Sequence, residues 1–268
     1  MIGYMRIIRP ERSIIAAAAV WIGTLIAGSA LIPELNAILA ILSAFLIAAG
    51  SFAANDYFDA ESDKLNRPDR PLARGKASKR KTLALSGILF AAGIALAYFI
   101  NFDTLAVAAI ASGLLIVYSA QLKRTILIGN LVISGLAALA FFFGGLAAGN
   151  HLPALPLALF AFLSGAGREI YKNIDSSLAD RRYEENSVAI KLGVSNARII
   201  ANVFLTVAVI FSFVPYLLGL LGMTYLFFVL MADIAFLASA AVPVKYSSKL
   251  VLIGIVIGVF AFLAGEVA

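Results

Sequence analysis

Nine consecutive residues, Asn55-Asp56-Tyr57-Phe58-Asp59-Ala60-Glu61-Ser62-Asp63, carry the densest set of oxygen ligands in the sequence. On an ideal helix Asn55, Asp59 and Asp63 fall on one stripe about 80° wide, with Asp56 beside it. An apolar run precedes them, so this ladder stands at the end of a membrane-crossing helix. Carboxylates placed there repel one another and are costly to desolvate. A hard divalent cation removes both costs, and magnesium in particular takes oxygen ligands and shares them with substrate phosphates. A merely solvated helix end would give three acids and an amide no reason to share one stripe.

A second constellation lies in Arg168-Glu169-Ile170-Tyr171-Lys172-Asn173-Ile174-Asp175-Ser176-Ser177-Leu178-Ala179-Asp180. If the segment is helical throughout, Glu169, Asn173, Ser176 and Asp180 lie within about 60° of each other, and Asp175 lies about 120° from Glu169. Alternatively the helix ends near Ile174, because Ser176 and Ser177 favour local backbone bonds, and Asp175 swings inward as the ligand. Between the constellations runs Lys64-Leu65-Asn66-Arg67-Pro68-Asp69-Arg70-Pro71-Leu72-Ala73-Arg74-Gly75-Lys76. Its prolines predict a stiff, non-helical loop. Arg67, Arg70 and Arg74 offer planar donor forks suited to phosphate oxygens. Metal ligands beside an arginine clamp suit a diphosphate. Tyr118, Lys123 and Arg124 sit at the end of a further apolar run and join the candidates.

The elements that hold these groups follow from composition. Of 268 residues 62% are hydrophobic and 13% are charged, and the mean hydropathy is +0.97. Soluble domains are nearer a quarter charged, roughly. Long apolar runs lie near 13–32, 36–57, 82–100, 104–120, 126–149, 153–174, 198–220, 223–242 and 249–267. They predict an all-α polytopic membrane protein of nine helices, since lipid leaves helices or closed barrels as options and these runs are too uniformly apolar for barrel strands. The run after Arg6, Arg9 and Arg12 reads as a first span rather than a signal peptide.

With nine spans every Lys and Arg falls on one side: 6, 9 and 12, then 64–81, 123 and 124, 168–198, and 245 and 249. The other side carries Glu34, Asp103, His151 and Glu266. The positive-inside rule then predicts a cytoplasmic N-terminus, an outside C-terminus and a site at the cytoplasmic face of a multi-pass membrane protein. The net charge of +6 is thus topological and argues against a nucleic-acid partner. Two long cytoplasmic segments, about 58–81 and 175–197, are expected to cap a central cavity. The whole chain, 1–268, is expected to form one domain. There is no cysteine, and His151 is the single histidine, so disulfide, thiolate and histidine-metal chemistry are excluded.

Asn55 to Asp63, followed by Asn66-Arg67-Pro68-Asp69-Arg70-Pro71, resembles the signature of the UbiA superfamily of membrane prenyltransferases, an N-D-x-x-D-x-x-x-D helix motif and an N-R-P-x-R-P loop. Arg9-Pro10, Tyr118-Ser119, Leu122-Lys123 and Arg168-Glu169-Ile170-Tyr171-Lys172 are similar to the archaeal digeranylgeranylglyceryl phosphate synthase branch. Asn173 and Ser176 stand where that second motif usually has aspartates, and the tyrosine-to-lysine spacing has four intervening residues rather than three. The resemblance implies transfer of a geranylgeranyl or similar group, with Mg2+, from an isoprenyl diphosphate to the hydroxyl of a lipid acceptor such as geranylgeranylglyceryl phosphate. An aromatic acceptor of quinone synthesis is the enzymatic alternative. An ion-coupled transporter is the alternative of another class, favoured by Asp233 within the eighth span. The expected catalytic set is Asp56, Asp59, Asp63, Asp180, Lys123 and Tyr118. The expected diphosphate contacts are Arg67, Arg70, Arg74, Lys64 and Lys172. The expected metal ligands are Asn55, Asp59, Asp63, Asn173, Asp175, Asp180 and Glu169.

Overall fold

The computed structural model describes residues 2–28, 33–179 and 188–267. All regular structure among them is helical: α1 (Ile2–Ile8), α2 (Pro10–Ile26), α3 (Leu35–Asn66), α4 (Lys79–Tyr98), α5 (Phe102–Ala120), a 3-10 turn (Leu122–Arg124), α6 (Ile128–Ala147), α7 (Ala154–Ala179), α8 (Val188–Leu192), α9 (Val194–Ser212), α10 (Val214–Leu217), α11 (Met223–Ala241) and α12 (Val244–Val267). Seven of the described helical segments are long and apolar enough to cross a membrane: α3, α4, α5, α6, α9 with α10, α11, and α12 to Gly265. The chain is therefore a multi-pass membrane protein. The other two expected spans correspond to α2, 17 residues long, and to α7, whose C-terminal half carries Arg168, Glu169, Lys172 and Asp175. Neither is among the seven.

The chain divides into two compact units, residues 1–123 with 140–154, and 124–139 with 155–268. In the first unit α3 packs on α2, α4 and α5. Its core is made of small and aromatic side chains, including Ala40, Ala54, Ala97, Ala108, Phe90 and Phe143. Lipid provides no hydrophobic drive between helices, so close backbone approach and interhelical hydrogen bonds hold them together. Ser43 Oγ donates to the Gly93 carbonyl and Ser86 Oγ to the Gly50 carbonyl, both at 2.8 Å, which ties α3 to α4. Gly23 of α2 crosses Gly144 of α6 so closely that a Cβ on Gly144 would lie 2.1 Å from the Val20 carbonyl oxygen.

In the second unit Phe160, Phe236, Phe262 and Tyr225 form an aromatic cluster with ring centroids 5.0–5.8 Å apart. Tyr171 of α7 is fully buried and donates to Asn202 Oδ1 of α9 at 2.5 Å. Arg198 donates to the Ala240 and Val242 carbonyls at the end of α11, a favourable place for a cation.

Two expected boundaries are corrected. The loop expected from 58 begins at Arg67, because α3 continues through the ladder to Asn66, with an exposed Lys64–Glu61 pair one turn apart. The segment expected as loop from 175 is helical to Ala179. Ser176 and Ser177 do seek backbone oxygens, but they bond back to the Lys172 and Asn173 carbonyls of their own helix, so the helix does not end at Ile174.

Gly144→Ala forces the α2–α6 backbones apart. Such overpacking is expected to cost about 1–3 kcal/mol, read as a lowered thermal unfolding midpoint in detergent. An unchanged midpoint would contradict the crossing.

Candidate active site

The ladder forms as the spacing requires, on one uninterrupted helix. Asp56 and Asp63 are buried, at 2% and 5% exposure, while Asn55 and Asp59 are half-buried. Each acid of the ladder meets a cation brought from elsewhere in the first unit. Arg9 Nη2 donates to Asp56 Oδ1 at 2.6 Å. Arg70 Nη1 bridges Asp56 Oδ1 at 2.7 Å and Asp63 Oδ2 at 3.0 Å. Lys123 forms an ion pair with Asp59, and its Nζ donates to Asn55 Oδ1 at 3.1 Å.

Local structure explains how these cations arrive. The segment after α3 folds into consecutive turns, with Arg70 N–H bonded to the Arg67 carbonyl, Arg74 N–H to Arg70, and Lys76 N–H to Pro71. These turns carry Arg70 back over the helix end it follows. Arg74 instead pairs with Asp69 at the surface. Arg67 is exposed, and among the described residues it is in no ion pair. Lys64 is exposed and held by Glu61. Lys123 stands on the 3-10 turn after α5, whose last turn holds the half-buried Tyr118.

Arg9 separates α1 from α2 with φ 44° and ψ 67°, the described non-glycine residue in the left-handed region. That conformation costs of order 1–3 kcal/mol where surroundings enforce it. Here Pro10 opens α2, the guanidinium lies 5.0 Å from the Phe52 ring centre, and Asp56 accepts its N–H. Burial lowers the Arg9 pKa, and the adjacent Asp56 carboxylate opposes the shift. α1 also reaches the arginine loop, where Ser78 N–H donates to Tyr4 Oη at 3.2 Å.

In the second unit Glu169 accepts from Lys172 at 2.8 Å and from Arg168 at 3.3 Å, both on its own helix. Asn173 Nδ2 donates to Asn130 Oδ1 of α6 at 2.7 Å. Asp175 is half-buried and, with α7 helical through it, lies on a different face from Glu169 and Asn173. Asp180 lies outside the described residues.

The family model of the UbiA prenyltransferase family matches residues 16–251. The chain belongs to this family. It is 37% identical over 270 residues to a digeranylgeranylglyceryl phosphate synthase of Methanopyrus kandleri, covering 98% of this chain and 99% of that one. It also matches a solved structure described as "Structural and mechanistic insights into the biosynthesis of Digeranylgeranylglyceryl phosphate synthase in membranes", with TM-score 0.90, 33% identity, and 99% and 98% of the two chains covered. A UbiA homolog from Archaeoglobus fulgidus bound to DMAPP and Mg2+ shares the fold, with TM-score 0.68, 20% identity, and 97% and 99% covered.

Do the residues of this UbiA protein fit a magnesium ion? Among the described residues no three acidic or histidine side chains are grouped for a metal. Asn55 and Asp59 nevertheless converge on one cationic nitrogen, Lys123 Nζ. Two hard oxygens one helical turn apart can therefore reach a common positive centre, and the donor chemistry suits Mg2+.

Arg9 did not stand out in the sequence as a site residue, and neither did Asn130. Arg9 is 47 positions from Asp56; its one local sign was the Arg-Pro pair at a helix start. A double-mutant cycle on Arg9→Ala and Asp56→Ala is expected to give a coupling above about 1 kcal/mol, as contacting charged residues do. Additive losses of unfolding free energy would show that the pair does not act as one.

Proposed function

We propose that this chain transfers a geranylgeranyl or similar group from its diphosphate to the hydroxyl of geranylgeranylglyceryl phosphate, with Mg2+. The convergence of Asn55 and Asp59 on a cation beside the Arg67–Arg74 loop is the observation that carries the chemistry. The full-length similarity to digeranylgeranylglyceryl phosphate synthases supports the acceptor. The family match over 16–251 supports one functional domain over 1–268. The one-sided distribution of Lys and Arg supports nine crossings, a cytoplasmic N-terminus, an outside C-terminus and a site at the cytoplasmic face.

The metal supplies positive charge that stabilises the diphosphate leaving group. Asn55, Asp59 and Asp63 would hold it; Glu169, Asn173, Asp175 and Asp180 are the candidate ligands of the second motif. Arg67 and Arg70 bind diphosphate oxygens through planar donor forks, with Arg74, Lys64 and Lys172 as outer contacts. Lys123 and Tyr118 act where negative charge grows on the leaving group. Asp56 fixes Arg70 through their 2.7 Å ion pair. The allylic C–O bond breaks with its electron pair going to the diphosphate. The acceptor oxygen then bonds to that carbon, and the hydroxyl proton is lost afterwards.

Purified protein incubated with Mg2+, geranylgeranyl diphosphate and a panel of acceptors is expected to yield the mass of digeranylgeranylglyceryl phosphate. Excess EDTA or Asp59→Ala should lower the rate at least about a hundredfold, as loss of transition-state charge stabilisation does. Turnover with 4-hydroxybenzoate but not with the glycerol lipid would redirect the assignment to quinone synthesis. Full activity in EDTA would remove the metal from the reading.

An ideal helical period carried on from Glu169 and Asn173 would put position 180 on their stripe, whereas Asp175 lies off it. Asp180→Ala is therefore expected to raise the Mg2+ concentration needed for half-maximal rate far more than Asp175→Ala. The reverse order would refute the stripe assignment.

A further inference from the structure

Among the described residues the ion pairs of the ladder balance in charge. Asp56, Asp59 and Asp63 contribute three negative charges, and Arg9, Arg70 and Lys123 contribute three positive ones in direct contact with them. The two groups of cations are held differently. Arg9 and Arg70 meet on one buried carboxylate, and Arg70 is further fixed by Asp63. Lys123 is a single ammonium on a flexible stem, carried by a three-residue turn, and it pairs with the more accessible Asp59, side-chain exposure 18% against 3% for Asp56. Its nitrogen occupies the point on which Asn55 and Asp59 converge.

A divalent ion arriving alone would meet an ammonium already in place and add uncompensated positive charge. An isoprenyl diphosphate brings negative charge and gives the ammonium new oxygens to bind. We propose that Lys123 is a built-in counter-ion that holds the metal position closed until the diphosphate arrives, so that metal and diphosphate enter together while Lys123 moves from Asn55 and Asp59 to a diphosphate oxygen. This rests on the metal assignment made under Proposed function.

The test uses Mn2+ as probe and the full chain in nanodiscs. Bound Mn2+ is measured by paramagnetic resonance, with and without a non-reactive geranylgeranyl thiolodiphosphate, and binding to the free analogue is subtracted. Without the analogue, wild type and Lys123→Arg should bind Mn2+ weakly. Lys123→Met should bind it at least about tenfold more tightly, since a like charge at contact distance is removed. Asp59→Asn added to Lys123→Met should abolish that gain. The analogue should tighten Mn2+ binding more in wild type than in Lys123→Met. Because Lys123→Met leaves Asp59 unpaired, its unfolding midpoint is followed as well, and Mn2+ alone should raise it more than it raises that of wild type.

Equal Mn2+ affinity in wild type and Lys123→Met, with both binding Mn2+ when the analogue is present, would overturn the counter-ion role and leave the metal assignment standing. Absence of Mn2+ binding in every protein, analogue included, would overturn the metal assignment and this proposal with it.

Discussion

Carboxylates one helical turn apart at the end of an apolar helix cannot all stay ionised unless equal positive charge reaches them. At an effective dielectric of about 20 each neighbouring pair repels by about 3 kcal/mol, before any cost of leaving water. Asp56, Asp59 and Asp63 impose this demand on the first unit, and the unit meets it from three separate places. The junction of α1 and α2 delivers Arg9, the turns after α3 deliver Arg70, and the 3-10 turn after α5 delivers Lys123. Each of those connections looks like an incidental loop until its charge is counted. Arg9 shows the strength of the demand, because its backbone occupies a left-handed conformation that a non-glycine residue ordinarily avoids.

The length of α3 makes the arrangement compatible with a membrane. At 32 residues the helix is about 48 Å long, against a hydrocarbon thickness of about 30 Å. Its first two-thirds are apolar and packed through small residues, and its polar end can stand beyond the hydrocarbon while remaining the same rigid rod. The register of the ladder is therefore fixed by the same hydrogen-bond ladder that satisfies the backbone in lipid. Ala53 and Ala54 just before the acids and Ala60 among them are buried, small side chains that let neighbouring backbone approach.

What the sequence disclosed was what is local along the chain. The stripe of Asn55, Asp59 and Asp63 needed only the helical period, and it formed as that period requires. The helical character of the spans followed from apolar runs, although α3 and α7 both outrun the apolar residues that announced them. What the sequence did not disclose was the use of the loop cations. Arg67, Arg70 and Arg74 look alike on the page, yet only Arg70 reaches the ladder; Arg74 is held by Asp69, and Arg67 stays exposed. The choice among them is made by the turns, each one hydrogen bond long, and residue type does not encode it.

Asp233 sharpens the distinction between an acid that must be neutralised and one that need not attract a cation. It is buried within α11 at 3% exposure, which in sequence marked it as a candidate for an ion path. Its Oδ2 atom lies 2.8 Å from Ser212 Oγ of α9, and Tyr225 Oη donates to the Ser212 carbonyl beside it. Among the described residues no Lys or Arg pairs with it. Ser212 Oγ of α9 thus serves one Asp233 oxygen, while Oδ1 has no hydrogen-bond partner among the described residues, whereas arginine and lysine pair with Asp56, Asp59 and Asp63. Two sets of acids in the same chain are met by opposite means. Where one acid stands alone, a single hydrogen bond between helices meets one of its oxygens. Where three share a stripe, hydrogen bonds cannot cancel their mutual repulsion, and only full positive charge does. That difference is one of number: three acids on one stripe gather three cations around them, and a lone acid gathers none among the described residues.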